Sequence, residues 1–342
     1  MRATIRSIAE EAGVSNVTVS NVLRGLAGQA SEETRVRVLE VAKRQNYIPV
    51  RPPTSQNSRV ETGVVTVVPE RQEVGFSDLD LATFQGIVEG ARKHGFNLFT
   101  LVNQNAGKDG ARQKFHFLDR STDGFIFIAS MQDQWVRVLD MLAEHKVPSV
   151  VCYRRNVPEG VAWASVDNEG IMREAVAHLV KRGHSRIAFI AGPPNNFDAI
   201  ERLSGWKKAM LANGLDAGEH RIVAAMDDGH VPRQAAIDSV SSLDVTAAVC
   251  FDDSTAFMVW SSLEKQEIRV PDDISLVGVN NHFLAKVNGL TSVSFTFADV
   301  GRLAVEAWVE LYNGGDAATC CKIAPLHLVS RNTVRDLNDN SV

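Results

Sequence analysis

The sequence lacks the features of several large protein classes. Its 342 residues include only four cysteines, Cys152, Cys250, Cys320 and Cys321, whose positions fit neither a metal-ligand spacing nor a disulfide-rich secreted domain. Such sparse thiols favour a reducing compartment. No stretch approaches the roughly 20 apolar residues that a membrane-spanning helix requires. The first residues lead into an amphipathic pattern and not into a signal peptide, so we expect a cytoplasmic protein.

Common enzyme motifs are also missing. The chain contains no Gly-x-Gly-x-x-Gly opening, no Gly-x-x-x-x-Gly-Lys loop, no Gly-x-Ser-x-Gly elbow and no His-Glu-x-x-His pair. His184 precedes an apolar run, where a structural role is favoured over a catalytic one. We therefore expect no enzyme activity, no cofactor and no metal. An enzyme on a doubly wound fold is the alternative, and turnover of a candidate sugar would support it.

Charge is distributed unevenly along the chain. Residues 1–60 contain nine Lys and Arg against five Asp and Glu, a net charge of +4, whereas the whole chain carries −5. The basic N-terminal segment is therefore the candidate for contact with a polyanion such as DNA. Charge alone does not decide this, because a value of this size is common in globular proteins.

The N-terminal segment has the pattern of a helix, a tight turn and a second helix. Thr4 is a good cap for a helix that begins at Ile5, and Gly13 permits the left-handed backbone that such a turn needs. Ser15 then caps a second helix over residues 16–23. The pattern predicts a helix-turn-helix, whose second helix lies in the major groove of DNA. A small three-helix packing module is equally compatible with the spacing.

The exposed side of the second helix is polar but uncharged. Short amides and hydroxyls suit base edges and phosphates, and a valine suits a thymine methyl group. The side chains assigned to this side are Asn16, Val17, Thr18, Ser20 and Asn21. A third helix is predicted from the Ser31 cap to near Asn46. Its predicted buried residues are Val38, Leu39 and Ala42.

The exact residues of this segment give a second indication, beside the spacing of its apolar positions. It closely resembles the headpiece of LacI-type repressors in two stretches, TIRSIAEEAGVSNVTVSNVLRG and SEETRVRVLEVAKRQNYIP. The resemblance implies that Asn16 and Val17 read bases and that Ser15 belongs to the DNA-binding set. The side chains that it implies hold phosphates are Thr4, Thr18, Ser20 and Arg24. Asn21 stands where the family usually carries arginine, so the operator is expected to differ from the commonest family sequence.

Residues 47–62 read YIPVRPPTSQNSRVET and have the composition of a linker. In the family this stretch forms a hinge helix whose leucine wedges into the minor groove. The corresponding position here holds Gln56, which is a poor wedge between stacked bases. Pro52 and Pro53 are compatible with the first turn of a helix. A hinge helix and a flexible linker therefore both remain open.

From residue 63 onward, short apolar runs alternate with helical patterns. This alternation predicts an α/β fold of parallel sheets covered by helices, and the length favours two doubly wound lobes with a cleft between them. The predicted strands are residues 64–68, 124–128, 148–151, 186–190, 247–250 and 274–279. Ligands in such folds bind at the carboxyl ends of strands, where this chain is notably polar. An aspartate in that position also commonly caps the next helix.

The body resembles the effector domain of the same family, so that the resemblance covers residues 4 to about 335. The matching segments are VDNEG, RGHSRIAFIAGP, RLSGWKKAM, RVPDDISLVGVNN and VSRNTV. The resemblance implies that Arg202 clamps the effector and that Asp252 accepts hydrogen bonds from its hydroxyls. It also places Arg154 on the cleft wall.

Two departures from the family bear on the effector. Asn280 occupies the place of a second acidic residue, which leaves two arginines facing fewer acids and favours a sugar acid or a sugar phosphate over a neutral sugar. The loop after the first strand of the body also differs from the family pattern, and Leu79 and Asp80 are further candidates there.

These inferences predict a DNA-binding transcription regulator, most naturally a repressor. Its predicted segments are a helix-turn-helix headpiece (1–48), a linker (49–62), a two-lobed effector-binding and dimerisation domain of the periplasmic-binding-protein type (63–335) and a tail (336–342). We expect a homodimer on a palindromic operator, because the tail is too short for the heptad helix of tetrameric relatives. The rival is a periplasmic sugar-binding protein, which the headpiece and the lack of a signal peptide argue against.

Overall fold

The computed structural model describes most of the chain. The described residues are 4–23, 30–45, 47, 61–69, 78–101, 117–118, 121–128 and 135–339. The chain divides into two compact units, Met1–Val60 and Glu61–Val342. Two predicted DNA contacts, Arg24 and Gln56, lie outside the described residues, as does the linker up to residue 60.

The first unit is a three-helix cluster. Its helices are α1 (Ile5–Ala12), α2 (Asn16–Leu23) and α3 (Glu32–Arg44). They enclose a small apolar core that includes Ile8, Val19 and Val38, each fully buried. The prediction that Leu39 is buried was wrong, because it is 41% exposed and Val41 is buried instead. Val38 and Val41 share a face at helical spacing, whereas Leu39 is turned about 100° away from Val38.

The second unit contains two six-stranded sheets. Its strands are β1 (Val64–Pro69), β2 (Asn97–Thr100), β3 (Gly124–Ile128), β4 (Ser149–Cys152), β5 (Ala162–Ser165), β6 (Ile187–Ala191), β7 (Ile222–Ala224), β8 (Ala247–Cys250), β9 (Ser275–Val279), β10 (Thr291–Ser294), β11 (Lys322–Ile323) and β12 (His327–Val329). Lobe 1 has the order β11-β5-β4-β3-β1-β2, and lobe 2 has the order β12-β10-β9-β8-β6-β7. Among the strands that the structure describes, β12 alone pairs antiparallel, with β10. The two doubly wound parallel sheets confirm the predicted fold class.

The remaining helices cover the two sheets. They are α4 (Asp78–His94), α5 (Val136–Glu144), α6 (Asn168–Lys181), α7 (Phe197–Ala212), α8 (Gln234–Asp238), α9 (Asp253–Lys265), α10 (Phe283–Asn288), α11 (Phe297–Tyr312) and α12 (Ala317–Cys320). The chain passes between the lobes three times: from β5 to α6, from β10 to α11, and from β11 to β12. Three short connections of this kind join the lobes while permitting a change in the angle between them.

Helices α4 and α11 cross at very short range in lobe 1. Gly86 faces the backbone of Ala298, and Gly301 faces the backbone of Thr83. A Cβ atom placed on Gly86 would lie 1.9 Å from the Ala298 carbonyl oxygen, and one placed on Gly301 would lie 2.1 Å from the Thr83 carbonyl oxygen. These two positions therefore require glycine, because any side chain would push the helices apart.

We expect Gly86→Ala to lower the free energy of unfolding by about 3 kcal/mol, the upper end of the usual cost of overpacking. Urea denaturation measures this change. The control is Arg92→Ala on the exposed side of the same helix, where a change within about 0.5 kcal/mol is expected. Equal effects of the two substitutions would contradict the close helix crossing.

Candidate functional site

Helix α2 presents an uncharged surface to solvent. Val17 is 67% exposed and Asn16 is exposed, while Thr18, Ser20 and Asn21 are half-buried. The opposite face of the helix packs Val19 and Val22 into the core. Exposure of the apolar Val17 side chain to water is unfavourable. Its position beside the exposed Asn16 therefore fits a surface that contacts a partner.

Two caps hold this surface in place. Thr4 caps α1 by accepting a hydrogen bond from the Ser7 backbone N–H at 3.1 Å. Ser15 caps α2 by accepting one from the Thr18 backbone N–H at 3.0 Å. Gly13 ends α1 in the left-handed conformation, with φ of 67°. These three local features agree with the predicted turn, and they fix the start of α2, where Asn16 and Val17 lie.

A buried arginine lies at the centre of the second candidate site. Arg202, in the first half of α7, is only 3% exposed. Its Nε donates to Oδ1 of Asn168 at 2.9 Å, and its Nη1 donates to the Phe251 carbonyl oxygen at 2.7 Å. The guanidinium also lies over the Phe251 ring, 4.9 Å from the centroid. One side chain thus joins α6, α7 and the turn after β8.

The charge of Arg202 is opposed by nearby acids. Asn168 donates to the carboxylates of Asp198 and Glu201, both at 2.8 Å, and so links them to the arginine. Burial nevertheless lowers the pKa of Arg202, although Asp198 and Asp252 oppose the shift. Asp253 and Glu201 oppose the shift as well, so the buried cation lies among carboxylates.

Arg154 reaches the same helix from the other lobe. It follows β4 in lobe 1 and is 8% exposed. Its guanidinium lies 4.7 Å from the centroid of Phe197, the first residue of α7 in lobe 2. Its Nε donates to the Asn156 carbonyl oxygen at 2.9 Å. The structure thus brings Arg154 and Arg202 to the first half of one helix, at a contact between the lobes.

Two adjacent aspartates follow β8 and have different surroundings. Asp252 caps α9, and its Oδ1 accepts from both the backbone N–H and the hydroxyl of Thr255 at 2.7 Å. Asp253 is 1% exposed, and it accepts from the Ser292 hydroxyl at 2.7 Å and from the His282 backbone N–H at 2.6 Å. Asp253 therefore connects the turn after β8 to the turn after β9.

Asn280 lies in that second turn, at the carboxyl end of β9. Its φ of 97° is unusual for any residue with a side chain. Its backbone N–H donates to the Val293 carbonyl oxygen at 3.0 Å. Its side-chain Oδ1 is buried and accepts no hydrogen bond within the part of the chain that the structure describes. Such an acceptor is expected to meet a donor from a ligand or a water molecule.

The start of α4 contributes a third group of residues. Asp80 is 4% exposed, and Leu79 is half-buried and packs against the core of the body. The Leu79 carbonyl oxygen accepts from the Thr83 hydroxyl at 2.6 Å. Thr83 also bonds the hydroxyl of Tyr153, which follows β4 directly and adopts φ of 69°. The Leu79 side chain is thus engaged in packing against the core. Asp80 stays a candidate for ligand binding.

His184 has a structural environment. Its Nδ1 contacts the Thr246 hydroxyl at 2.9 Å, and its Nε2 contacts the Arg335 carbonyl oxygen at 3.0 Å. Burial lowers its pKa, so the neutral ring is favoured, with the proton on the nitrogen that faces the carbonyl. Among the described residues, no group of three or more His, Cys, Asp or Glu has the arrangement of a metal site.

Two family models match the chain. Residues 4–50 match the model of bacterial regulatory proteins of the lacI family, and residues 176–334 match the periplasmic binding protein-like domain. In this combination of domains the chain is similar to LacI-family regulators. The similarity extends over whole proteins: the HTH-type transcriptional regulator CelR of Thermobifida fusca is 29% identical over 97% of this chain and 98% of its own. The HTH-type transcriptional repressor PurR of Vibrio atlanticus is 27% identical over 98% and 100%.

Solved structures of LacI-family proteins share the fold. A CelR–cellobiose complex has a TM-score of 0.66 and 26% identity, and covers 97% of this chain and 100% of its own. A lac repressor dimer bound to operator and the anti-inducer ONPF has a TM-score of 0.71 and 23% identity, and covers 98% and 100%. These relatives are regulators of transcription and not enzymes, which confirms the predicted class. No described helix is long and apolar enough to cross a membrane.

Sequence reasoning missed several residues of this candidate site. Asn168, Phe197 and Phe251 each contact one of the two arginines. Tyr153 was visible as a polar residue after a strand, but its bond to Thr83 depends on the packing of α4. Each of these contacts joins segments that are far apart in the chain, so no local pattern signals them.

Asp253 gives a pH-dependent prediction. Burial raises its pKa from 3.8 to about 6, so the folded state favours the protonated carboxyl. The associated stability is present at low pH and is lost as the pH rises from about 4 through 6, a change of about 3 kcal/mol. We expect the free energy of unfolding of the wild type, relative to Asp253→Asn, to fall by this amount between pH 4 and 7 in urea titrations.

The control for this experiment is Ser254→Ala, an exposed neighbour without a titratable group. Its unfolding free energy should follow the wild type at every pH. A constant difference between the wild type and Asp253→Asn across the range would contradict the prediction.

Proposed function

We propose that this LacI-family regulator is a cytoplasmic, homodimeric repressor whose affinity for a palindromic operator is controlled by a sugar-like effector with an acidic group. The observation that supports this best is the pair of guanidinium groups at the first half of α7, where Arg202 is only 3% exposed and Arg154 lies over Phe197. The chain also carries an exposed, uncharged helix face of the kind that reads DNA.

The DNA-binding roles follow from the chemistry of α2. Asn16 offers an amide that pairs with adenine, and Val17 offers methyl groups for a thymine methyl. Thr4, Ser15, Thr18 and Ser20 bind phosphates or fix the helix start, and Asn21 contributes a second amide. In a dimer, two such helices meet successive major-groove half-sites. Arg24 and Gln56 keep their predicted roles as phosphate and minor-groove contacts.

The effector roles follow from the cleft. The guanidinium groups of Arg202 and Arg154 bind a carboxylate or phosphate, while Asp252 and Asn280 accept hydrogen bonds from hydroxyls. Asp80 closes the site from lobe 1. A neutral sugar is the alternative, and the cellobiose complex of the relative CelR favours it. Effector binding changes the angle between the lobes, and operator affinity changes by about 1 to 3 kcal/mol.

The dimer proposal is supported by apolar side chains that the isolated chain leaves exposed. Helix α4 in lobe 1 exposes Leu81 (54%) and Val88 (42%), which share one helix face. Helix α10 in lobe 2 exposes Phe283 (68%) and Val287 (64%). Burial of such residues between two copies provides the hydrophobic area that a stable dimer requires.

Selection of genomic fragments with the purified protein tests the function, with binding repeated in the presence of sugars, sugar acids and sugar phosphates. A palindromic fragment released or captured on addition of one acidic sugar is the expected result. Arg202→Lys should remove that response, since the ammonium lacks the planar fork, whereas Lys208→Arg on the same helix should retain it. Failure to select any DNA sequence would refute the proposal, and a response to a neutral sugar alone would refute its acidic part.

Single substitutions on α2 separate DNA reading from folding. We expect Asn16→Ala to weaken operator binding about tenfold or more and Val17→Ala about fivefold, because each removes a base contact and no core contact. Fluorescence anisotropy with the selected fragment measures both. Val36→Ala is the matched control on α3, where the side chain is 47% exposed. Equal weakening by the control would argue against base reading by α2.

Charge placed on the proposed interface should dissociate the dimer. We expect Val88→Asp and Phe283→Asp to shift sedimentation at micromolar concentration from dimer to monomer, because a buried unpaired carboxylate is costly. Leu211→Asp is the control, since this leucine is 67% exposed on α7, away from both proposed patches. A wild type that sediments as a tetramer, or variants that remain dimers, would contradict the assignment.

A further inference from the structure

The entry of the chain into lobe 1 is held by one carboxylate. Asp123, at the turn before β3, is 8% exposed. Its Oδ1 accepts from the Thr62 backbone N–H at 2.6 Å, and its Oδ2 accepts from the Gly63 backbone N–H at 2.7 Å. Gly63 adopts φ of 67°, which turns the two successive N–H groups toward one anion. Each carboxylate oxygen therefore has a backbone donor.

Further hydrogen bonds attach Gly63 and Val64 to strand β2 and to the turn before β3. The Asp123 backbone N–H donates to the Val64 carbonyl oxygen at 2.8 Å, and the Asn97 backbone N–H donates to the Gly63 carbonyl oxygen at 2.8 Å. The Thr122 hydroxyl donates to the Val64 carbonyl oxygen at 2.9 Å. Residues 62–64, which begin with the last residue of the predicted linker, are thus attached to β2 and to the turn before β3.

This attachment lies at the amino ends of the parallel strands of lobe 1. Arg154, the proposed effector residue in this lobe, lies at their carboxyl ends. Strand β1 begins at Val64, and its carboxyl end lies at the edge where Arg154 follows β4. Six strand residues span about 20 Å. When lobe 1 rotates as a rigid body, both ends of its strands therefore move together. Because residues 62–64 are firmly attached to the lobe, the same motion reaches the linker.

We propose that Asp123 is a positioning residue for the DNA response: by clamping the Thr62 and Gly63 N–H groups, it makes the linker follow lobe 1. The inference rests on the proposed regulatory function. Without the clamp, the first residues of the body absorb the displacement, and the DNA-binding unit no longer receives it. Asp123 acts through the backbone and touches neither DNA nor effector.

Two substitutions weaken the clamp by different routes. Asp123→Asn places an N–H donor where a carboxylate oxygen accepted, so one backbone donor loses its partner. Gly63→Ala strains the left-handed backbone, while its Cβ meets no atom within 4 Å. Matched controls are Asp140→Asn on the exposed side of α5 and Gly214→Ala. Gly214 has φ of 69° and equally open surroundings in lobe 2.

Hydrogen exchange measured by mass spectrometry on the full-length dimer tests the clamp. We expect exchange in peptides covering residues 61–65 to rise about tenfold in Asp123→Asn and Gly63→Ala, with peptides from β4 and lobe 2 unchanged. Both controls should match the wild type. Unchanged exchange at 61–65, or a rise throughout lobe 1, would overturn a specific clamp, the latter showing only a general structural role.

Binding to the selected genomic fragment tests the consequence. Both clamp variants should bind it about tenfold more weakly than the wild type, and the controls should bind it normally. Faster exchange at 61–65 with unaltered DNA affinity would overturn the positioning role. If the wild type selects no DNA, the regulatory function is what fails, and with it the positioning role, while the exchange data still decide whether the clamp exists.

Discussion

The body of this protein depends on the satisfaction of one buried cation. A guanidinium that is almost removed from water, as that of Arg202 is, requires acceptors on several sides. An amide from α6, a carbonyl oxygen from the turn after β8 and the face of a phenyl ring supply them. The amide nitrogen of Asn168 in turn donates hydrogen bonds to the carboxylates of Asp198 and Glu201. The side chain that joins these elements of lobe 2 is therefore also the cation proposed to bind the effector.

The close crossing of α4 and α11 has the complementary role in lobe 1. Since two glycines bring the helix backbones together, α4 is held as a rigid element. Near its start, Thr83 bonds the hydroxyl of Tyr153, which follows β4, and its exposed face carries the apolar residues proposed for the dimer. One helix thus bears on both proposed surfaces, and the described passages of the chain between lobes leave the angle between them adjustable.

Local signals in the sequence predicted much of the fold. All six predicted strands are present with ends within one residue, because buried parallel strands read as continuous apolar runs. The edge strands β2, β7, β11 and β12 were missed, since they are short and half-exposed. The interior strands β5 and β10 were also missed, although they are largely buried, because each has only four residues and includes alanine or serine. Leu39 was predicted to be buried in place of Val41, two positions along the same helix. The caps Thr4, Gly13 and Ser15 were found because capping is a local property.

The candidate site was predictable only in part. The polar ends of predicted strands and the sequence resemblance to the family pointed to Arg154, Arg202, Asp252 and Asn280. They did not point to the residues that orient these side chains. The contact of Arg154 with Phe197 joins two lobes, and no periodicity encodes such a pair. The carboxylate of Asp123 was missed for the same reason, as its partners lie 60 residues earlier in the chain.

The absence of charge from α2 separates two properties that are often linked in DNA-binding proteins. Counterion release depends on the number of phosphates that cationic side chains neutralise, and α2, with the sequence NVTVSNVL, has no cation. Under the proposed reading role of α2, substitutions among its neutral residues therefore alter which base pairs are preferred while the salt dependence of binding stays constant. A lineage of such proteins can change its target sites without changing how strongly it is held by DNA in general.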